Sequence, residues 1–173
     1  REGFTAPPED LNVATRSDLD NDTYQYERQA YWDKPDPKVP IPFYGFKEYF
    51  AVMRHGFNTG GSHLEWVKKN APETLALRGR DKQFDHDFTV PQAIRTKVPE
   101  EHYSTTYIAN RAVEWLEARR NNNKPFLLMV SFPDPHHPFT PPGKYWDMYN
   151  PEDMVVPAAY EADDWDPPEY IKV

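Results

Sequence analysis

The sequence predicts an α/β fold, in which helices flank part of a mostly parallel mixed sheet and long loops rich in proline and aromatic residues surround it. Three observations lead to this prediction. A helical pattern that begins at Ser104 runs directly into an apolar segment, residues 126–132, in which apolar and polar residues do not alternate. A shorter helical pattern begins at Ser62. The 173 residues also include 19 prolines and 15% aromatic residues, a combination that favours packed loops over disorder.

The longer helix and the apolar segment are the strongest architectural features. The helical face is formed by apolar residues, closed by an arginine, at a spacing of three and four: Ile108, Ala112, Trp115, Leu116 and Arg119. A run of asparagines followed by Pro125 predicts the end of the helix. The segment "FLLMVSF" that follows is nearly all apolar and does not alternate, which is typical of a strand buried on both faces of a parallel sheet. A helix that feeds such a strand is half of a βαβ unit.

The remaining elements are shorter. The aromatic stretch at residues 41–52 predicts an extended segment or a strand. Ser62 and Glu65 have the spacing of a capping box at the start of a helix that ends at Asn70, with Leu64 and Val67 facing inward. Residues 73–99 are expected to form loops, and "GKYWDMYNPED" one or two helical turns.

Composition excludes several classes of partner. The net charge is −8, and residues 151–173 alone contribute −6 of it, so no basic stripe exists to bind nucleic acid. No apolar run approaches the roughly 20 residues of a membrane span, and no signal-peptide pattern is present, so no membrane partner is expected. The chain has no cysteine, which excludes disulfides, thiol catalysis and zinc–thiolate sites.

The end of the apolar segment, "FPDPHHP", is the principal candidate site. Ligands of open α/β sheets bind beyond the carboxyl ends of the strands. If the backbone here is extended, Asp134 and His136 share one side and His137 faces the other. Asp134 would then either bind an ion with His136 or orient its imidazole. His136 would hydrogen-bond an anion or protonate a leaving group; the alternative is a stiff corner in which it only bonds a neighbouring carbonyl.

Other polar clusters predict less. His55 and His63 bracket a glycine-rich turn, where surface or capping roles are favoured and the alternative is that they line a pocket. The same turn has neither the lysine nor the spacing of a phosphate-binding loop. Asp85, His86 and Asp87 resemble a metal cluster, but adjacent residues in so polar a loop are expected to be solvated.

The helix "TTYIANRAVEWL" and the stretch "KPFLLMVSFPDPHHPFTPPGKYWDMYNPEDM" together resemble the type I sulfatases. This family belongs to the alkaline phosphatase superfamily, which also contains phosphonate monoester hydrolases. The resemblance covers roughly residues 40–157. It implies that residues 1–173 are the central portion of a sulfatase-type catalytic domain, with an irregular segment at 1–40, a sulfatase-like core at 41–157 and an acidic loop at 158–173.

The resemblance also implies roles for residues. In the family's "PHxPF" element the histidine contacts the sulfate group, which makes His136 the expected catalytic and substrate-binding residue. His137 is expected to line the substrate mouth, and Asp134 is expected among the substrate-binding residues. The family's nucleophile is a formylglycine made from the first residue of "C/S-x-P-x-R", and its cofactor is a divalent metal, most often calcium. This chain has neither that motif nor the family's metal ligands, so both are expected outside this segment, in the remainder of a sulfatase chain.

Three functions follow. The leading one is hydrolysis of a small-molecule or carbohydrate sulfate ester, with the segment alone inactive. A phosphonate or phosphate ester hydrolase is the second, because both groups present tetrahedral oxyanions of similar size. The third is a non-catalytic binding domain on the same scaffold.

Overall fold

A computed structural model describes residues 25–26, 28–34 and 37–160 of the chain. These residues form a small mixed α/β unit. Its helices are α1 (Gln29–Trp32), α2 (Ser62–Asn70) and α3 (Ser104–Glu117), and its strands are β1 (Val52–Met53) and β2 (Gly60–Gly61). Single 3₁₀ turns occur at Gly56–Asn58, Pro72–Leu77, Glu100–His102, Gly143–Tyr145, Pro151–Asp153 and Ala158–Tyr160. The predictions for residues 1–24 and for the acidic tail from 161 onward lie outside the described residues.

The sheet is the main departure from the prediction. β1 and β2 pair antiparallel, with Val52 opposite Gly61 and Met53 opposite Gly60, and no parallel sheet occurs in the described part of the chain. The strand predicted at residues 41–52 is also wrong except at its last residue. Phe43 and Phe46 instead exchange two backbone hydrogen bonds of 2.9 Å across a tight turn.

The apolar segment at residues 126–132 forms no strand, because none of the described segments runs beside it. Most of its apolar side chains are exposed, with Leu127 at 78% and Met129 at 70%. The prediction that both faces are buried is therefore wrong for these residues. An unbroken apolar run indicates that a strand suits burial, but a sheet also needs a neighbouring strand to take its backbone hydrogen bonds.

Helix α2 has the predicted bounds but not the predicted cap. Val67 is fully buried, and Leu64 is half-buried. The Ser62 hydroxyl accepts a hydrogen bond of 3.1 Å from the backbone N–H of Ala51, not from its own helix. Glu65 pairs with Lys68 at 2.7 Å, so the capping box is wrong and the serine instead fastens the helix to the residue before β1.

Helix α3 begins at Ser104 as predicted and ends at Glu117. Only Ser104 and Tyr107 are buried. The predicted inner face is half-buried, and Leu116 on it is 43% exposed. This face has no sheet to cover it, and its one aromatic contact with the apolar segment is an edge-on packing of Trp115 against Phe126 at 5.0 Å.

The core lies where α2, the 72–77 turn and the start of α3 meet. Its largest fully buried side chains are Ile94 and Val67. A cavity of about 10 Å³ among these elements has room for at most one water molecule. None of the helices in the described ranges has both the length and the apolar character needed to cross a bilayer.

Candidate histidine site at the end of the apolar segment

The end of the apolar segment is a turn, not an extended strand. The backbone N–H of His136 donates to the carbonyl of Pro133 at 3.0 Å, and the Asp134–Pro135 and His137–Pro138 peptides are cis. The rings of His136 and His137 lie side by side, with centroids 4.4 Å apart. The prediction that they face opposite ways is therefore wrong, because alternation holds only where the backbone is extended.

His136 is exposed, and one of its ring nitrogens is committed. Nδ1 lies 2.6 Å from the carbonyl oxygen of His137. A carbonyl can only accept, so Nδ1 must carry the hydrogen. In the neutral ring Nε2 then holds a lone pair, and it becomes an N–H donor only when the ring is cationic. Donation from Nε2 to an anion therefore requires the imidazolium.

His55 lies flat against His136. The two ring centroids are 3.7 Å apart and the planes differ by 11°. His55 is extended (φ −136°) between two residues in the left-handed region, Arg54 (φ 61°) and Gly56 (φ 54°). A methyl group at residue 56 would lie 2.9 Å from Pro138 Cγ, so this glycine lets the turn approach the end of the apolar segment. Sequence reasoning placed His55 at the surface or in a cap and missed this contact.

His55 is the neutral ring of the two stacked histidines. Burial lowers the pKa of His55, and the neighbouring His136 and His137 lower that pKa further, against an opposing effect of Asp134. Two like charges about 4 Å apart repel by ~1 kcal/mol in water and ~4 kcal/mol at an effective dielectric constant of 20. His55 is therefore uncharged at pH 7. Its Nδ1 is buried and has no hydrogen-bond partner in the described part of the chain.

Asp134 holds the turn to helix α3. Its Oδ1 accepts from the hydroxyl of Tyr103 at 3.0 Å and its Oδ2 from the hydroxyl of Thr105 at 2.7 Å. The Tyr103 oxygen also lies 2.6 Å from the hydroxyl of Thr140, and burial raises the pKa of Tyr103. Both carboxylate oxygens thus point to the start of the helix. They make no hydrogen bond to His136 in the described structure.

A second histidine network is buried. His63 is 3% exposed, so the expected surface or capping role is wrong. Its Nε2 donates to the carbonyl of His102 at 3.0 Å, and its Nδ1 accepts from the hydroxyl of Thr59 at 3.0 Å. His102 Nδ1 lies 2.7 Å from the hydroxyl of Thr74. Burial lowers the pKa of His63 to about 4, so this ring is neutral and ties α2 to the 100–102 turn.

The remaining candidates do not assemble into a metal site. His86 bonds the side chain of Gln83 at 3.0 Å and packs against Trp146, with ring centroids 5.1 Å apart. Asp85 and Asp87 are exposed. Within residues 25–26, 28–34 and 37–160, no group of three histidine or acidic side chains could hold a metal ion.

The surroundings of His136 differ from the expected pocket. One face of its ring is covered by His55, and the residue is otherwise exposed. Neither the small cavity beside Tyr103 nor the open cleft beside Arg54 and Arg78 includes His136 in its lining. The described residues thus present this imidazole at a surface.

Comparisons with known proteins identify the family. The family model named Sulfatase matches residues 51–162. The multifunctional alkaline phosphatase superfamily protein PehA of Trinickia caryophylli is 30% identical over 75% of this chain and 27% of its own length. An arylsulfatase of Clostridium perfringens is 42% identical over 32% of this chain and 11% of its own length. An ulvan-active sulfatase of Formosa agariphila is 31% identical over 58% of this chain and 22% of its own length.

No solved structure matches the chain. The chain spans less than a third of the length of each of these relatives. The matched residues include helix α3, the apolar segment and the turn that carries His136. The chain belongs to the sulfatase family.

Proposed function

We propose that the complete protein hydrolyses sulfate monoesters and that His136 forms part of its anion site. The observation that carries this proposal is the state of the His136 ring. Its Nδ1 is held by the His137 carbonyl, and the residue is exposed within the region that matches the sulfatase family model. Nε2 is then the atom left to meet an oxyanion.

The ring has two chemical uses in such a site. As an imidazolium, His136 donates Nε2–H to a sulfate oxygen and offsets its negative charge. The same proton can pass to the oxygen of the leaving alcohol as its bond to sulfur breaks. His137 is exposed beside it and is placed to line the substrate mouth. Asp134 contributes to substrate binding by fixing the turn through Tyr103 and Thr105.

The nucleophile and the metal of the family are proposed to lie outside these residues. A formylglycine needs the "C/S-x-P-x-R" motif, which the sequence does not contain. A calcium ion needs several carboxylate or carbonyl oxygens, and both oxygens of Asp134 are already hydrogen-bonded. The described residues therefore provide neither a formylglycine precursor nor a set of calcium ligands.

The substrate class is proposed from the relatives. An arylsulfatase and an ulvan-active sulfatase are among them, which supports an aryl or carbohydrate sulfate ester. A phosphonate or phosphate ester is the second candidate. The observation that favours it is the match to PehA, a multifunctional member of the alkaline phosphatase superfamily, over 75% of the chain.

Side-by-side assays of the complete protein test the proposal. Aryl sulfate, aryl phosphonate and a sulfated polysaccharide are supplied at equal sulfur or phosphorus concentration. We expect the highest kcat/KM for one of the two sulfate esters, and no turnover by the 173 residues alone. A preference for the phosphonate would favour the second candidate. No turnover of any ester by the complete protein would contradict an enzymatic role and favour a binding domain.

A further inference from the structure

We propose that His55 is a positioning residue of the anion site, whose ring fixes the plane of His136 by stacking on it. This inference rests on the proposed function. It starts from the stack itself, in which the two rings lie 3.7 Å apart and within 11° of parallel. His136 needs such support, because it is exposed and, among the residues that the structure describes, its side chain has one hydrogen bond, to the carbonyl of the next residue.

The backbone conformation at residues 54–56 places the ring of His55 against His136. Arg54 and Gly56 both have positive φ, and a non-glycine residue in that region is uncommon. Such conformations concentrate where a side chain must be aimed. Between them, His55 is extended and its ring reaches the end of the apolar segment, 81 residues further along the chain. Gly56 permits the close approach, since a side chain there would meet Pro138.

The groups around the stack make His55 the uncharged partner. The titratable groups that act on it are His136, His137 and Asp134. The two histidines oppose a charge on His55, and Asp134 points both oxygens at Tyr103 and Thr105. A flat, neutral ring under an imidazolium is attractive in the manner of a cation on an aromatic face. His55 would thus act through His136 and not by touching the substrate.

The test compares His55→Ala with His55→Phe in the complete protein. Phenylalanine keeps a flat ring and can never be charged, so it should rescue a positioning role. We expect His55→Ala to lower kcat by about tenfold to hundredfold and to alter its pH profile, since small misplacements of a catalytic group have effects of this size. His55→Phe should stay within about threefold of the wild type, because the ring plane is retained. His86→Phe, a histidine that contacts Gln83 and Trp146 instead, is the matched control and should not change kcat.

A second readout separates this inference from the proposed function. Inorganic sulfate is titrated into the complete protein while the ring protons of His136 are followed by NMR. The sulfate-induced shift should occur in the wild type and in His55→Phe and be lost in His55→Ala. If the wild type cleaves no ester but this pattern holds, hydrolysis is wrong and the role of His55 stands. Equal losses in the phenylalanine and alanine variants, or wild-type behaviour of His55→Ala, would overturn the inference.

Discussion

Two groups of histidines in this chain differ in their exposure and in the hydrogen bonds of their rings. His63 and His102 are enclosed between α2 and the 100–102 turn, and both nitrogens of the His63 ring have hydrogen-bond partners. His55, His136 and His137 instead stack beside the end of the apolar segment, where Nε2 of His136 is left to meet a ligand. The contrast shows that a histidine's role follows from what its nitrogens already bind. Substitutions should therefore separate the two groups, one by activity and the other by stability.

Replacement of His136 should have the largest effect on activity. His136→Ala removes the proton donor, and general acid catalysis typically contributes about 10²–10⁴-fold, so we expect kcat/KM to fall by at least about a hundredfold. The free energy of unfolding should change by less than ~0.5 kcal/mol, because the residue is exposed. Steady-state kinetics of the complete protein and denaturant unfolding measure the two quantities. Unchanged kinetics would remove His136 from the site.

Protonation of His63 should have the largest effect on stability. Its pKa is 6.5 when unfolded and about 4 when folded, so between these values the unfolded chain binds more protons than the folded one. Stability should thus fall as the pH drops from 6.5 to 4, by ~3 kcal/mol in total at ~1.4 kcal/mol per unit. Denaturant unfolding across this range measures the slope. His63→Gln should flatten it, and an equal slope in that variant would contradict the assignment.

Loss of Asp134 should have a smaller effect, and on both activity and stability. Asp134 joins the turn that carries His136 to the start of helix α3. Asp134→Ala leaves the buried hydroxyl of Tyr103 without its carboxylate partner, which should cost ~2 kcal/mol of stability. The turn that carries His136 would also loosen, and kcat should decrease. Tyr103→Phe with Asp134→Ala completes a double-mutant cycle, and the coupling energy should be ~1 kcal/mol or more. Strict additivity would show that the hydrogen bond does not hold the turn.

Thr74→Val should have the smallest effect. It removes the hydroxyl that lies 2.7 Å from His102 Nδ1 while nearly keeping its shape, so we expect a loss of ~1 kcal/mol in unfolding free energy. Activity per folded molecule should not change, because the hydrogen bonds described for His63 and His102 do not involve the stacked histidines. A decrease in kcat under conditions where all molecules are folded would show that the buried histidine network also affects activity.

The elements that were predicted correctly are those whose bounds are set by residues close to them in the sequence. The start of α3 at Ser104 follows from the helical spacing, and the end of α2 at Asn70 follows from the residues directly after it. The start of α2 was placed correctly, although the capping box that indicated it does not form. The sheet was not predictable in this way. The apolar run at residues 126–132 indicates a strand suited to burial, but strand pairing depends on segments distant in sequence, and none among the described residues lies beside it.

The candidate site was predictable in part for the same reason. His136 stands out because prolines and an aspartate surround it at the end of an apolar run. The stacking of His55 on it joins residues 81 positions apart, which no local pattern specifies. The available hint was Gly56 directly after His55, since a close approach of two backbone segments often requires glycine. No local pattern predicts the hydrogen bond between Asp134 and Tyr103 either. The carboxylate of Asp134 bonds residues at the start of helix α3, not the imidazole of His136.

The binding of inorganic sulfate to the complete protein tests the His136 anion site most directly. Because Nδ1 is held by a carbonyl, Nε2 is the ring nitrogen left to donate to sulfate. Calorimetry should therefore show binding by the wild type and weaker binding by His136→Gln. Equal affinities in the two proteins would contradict a role for this imidazole in holding the anion.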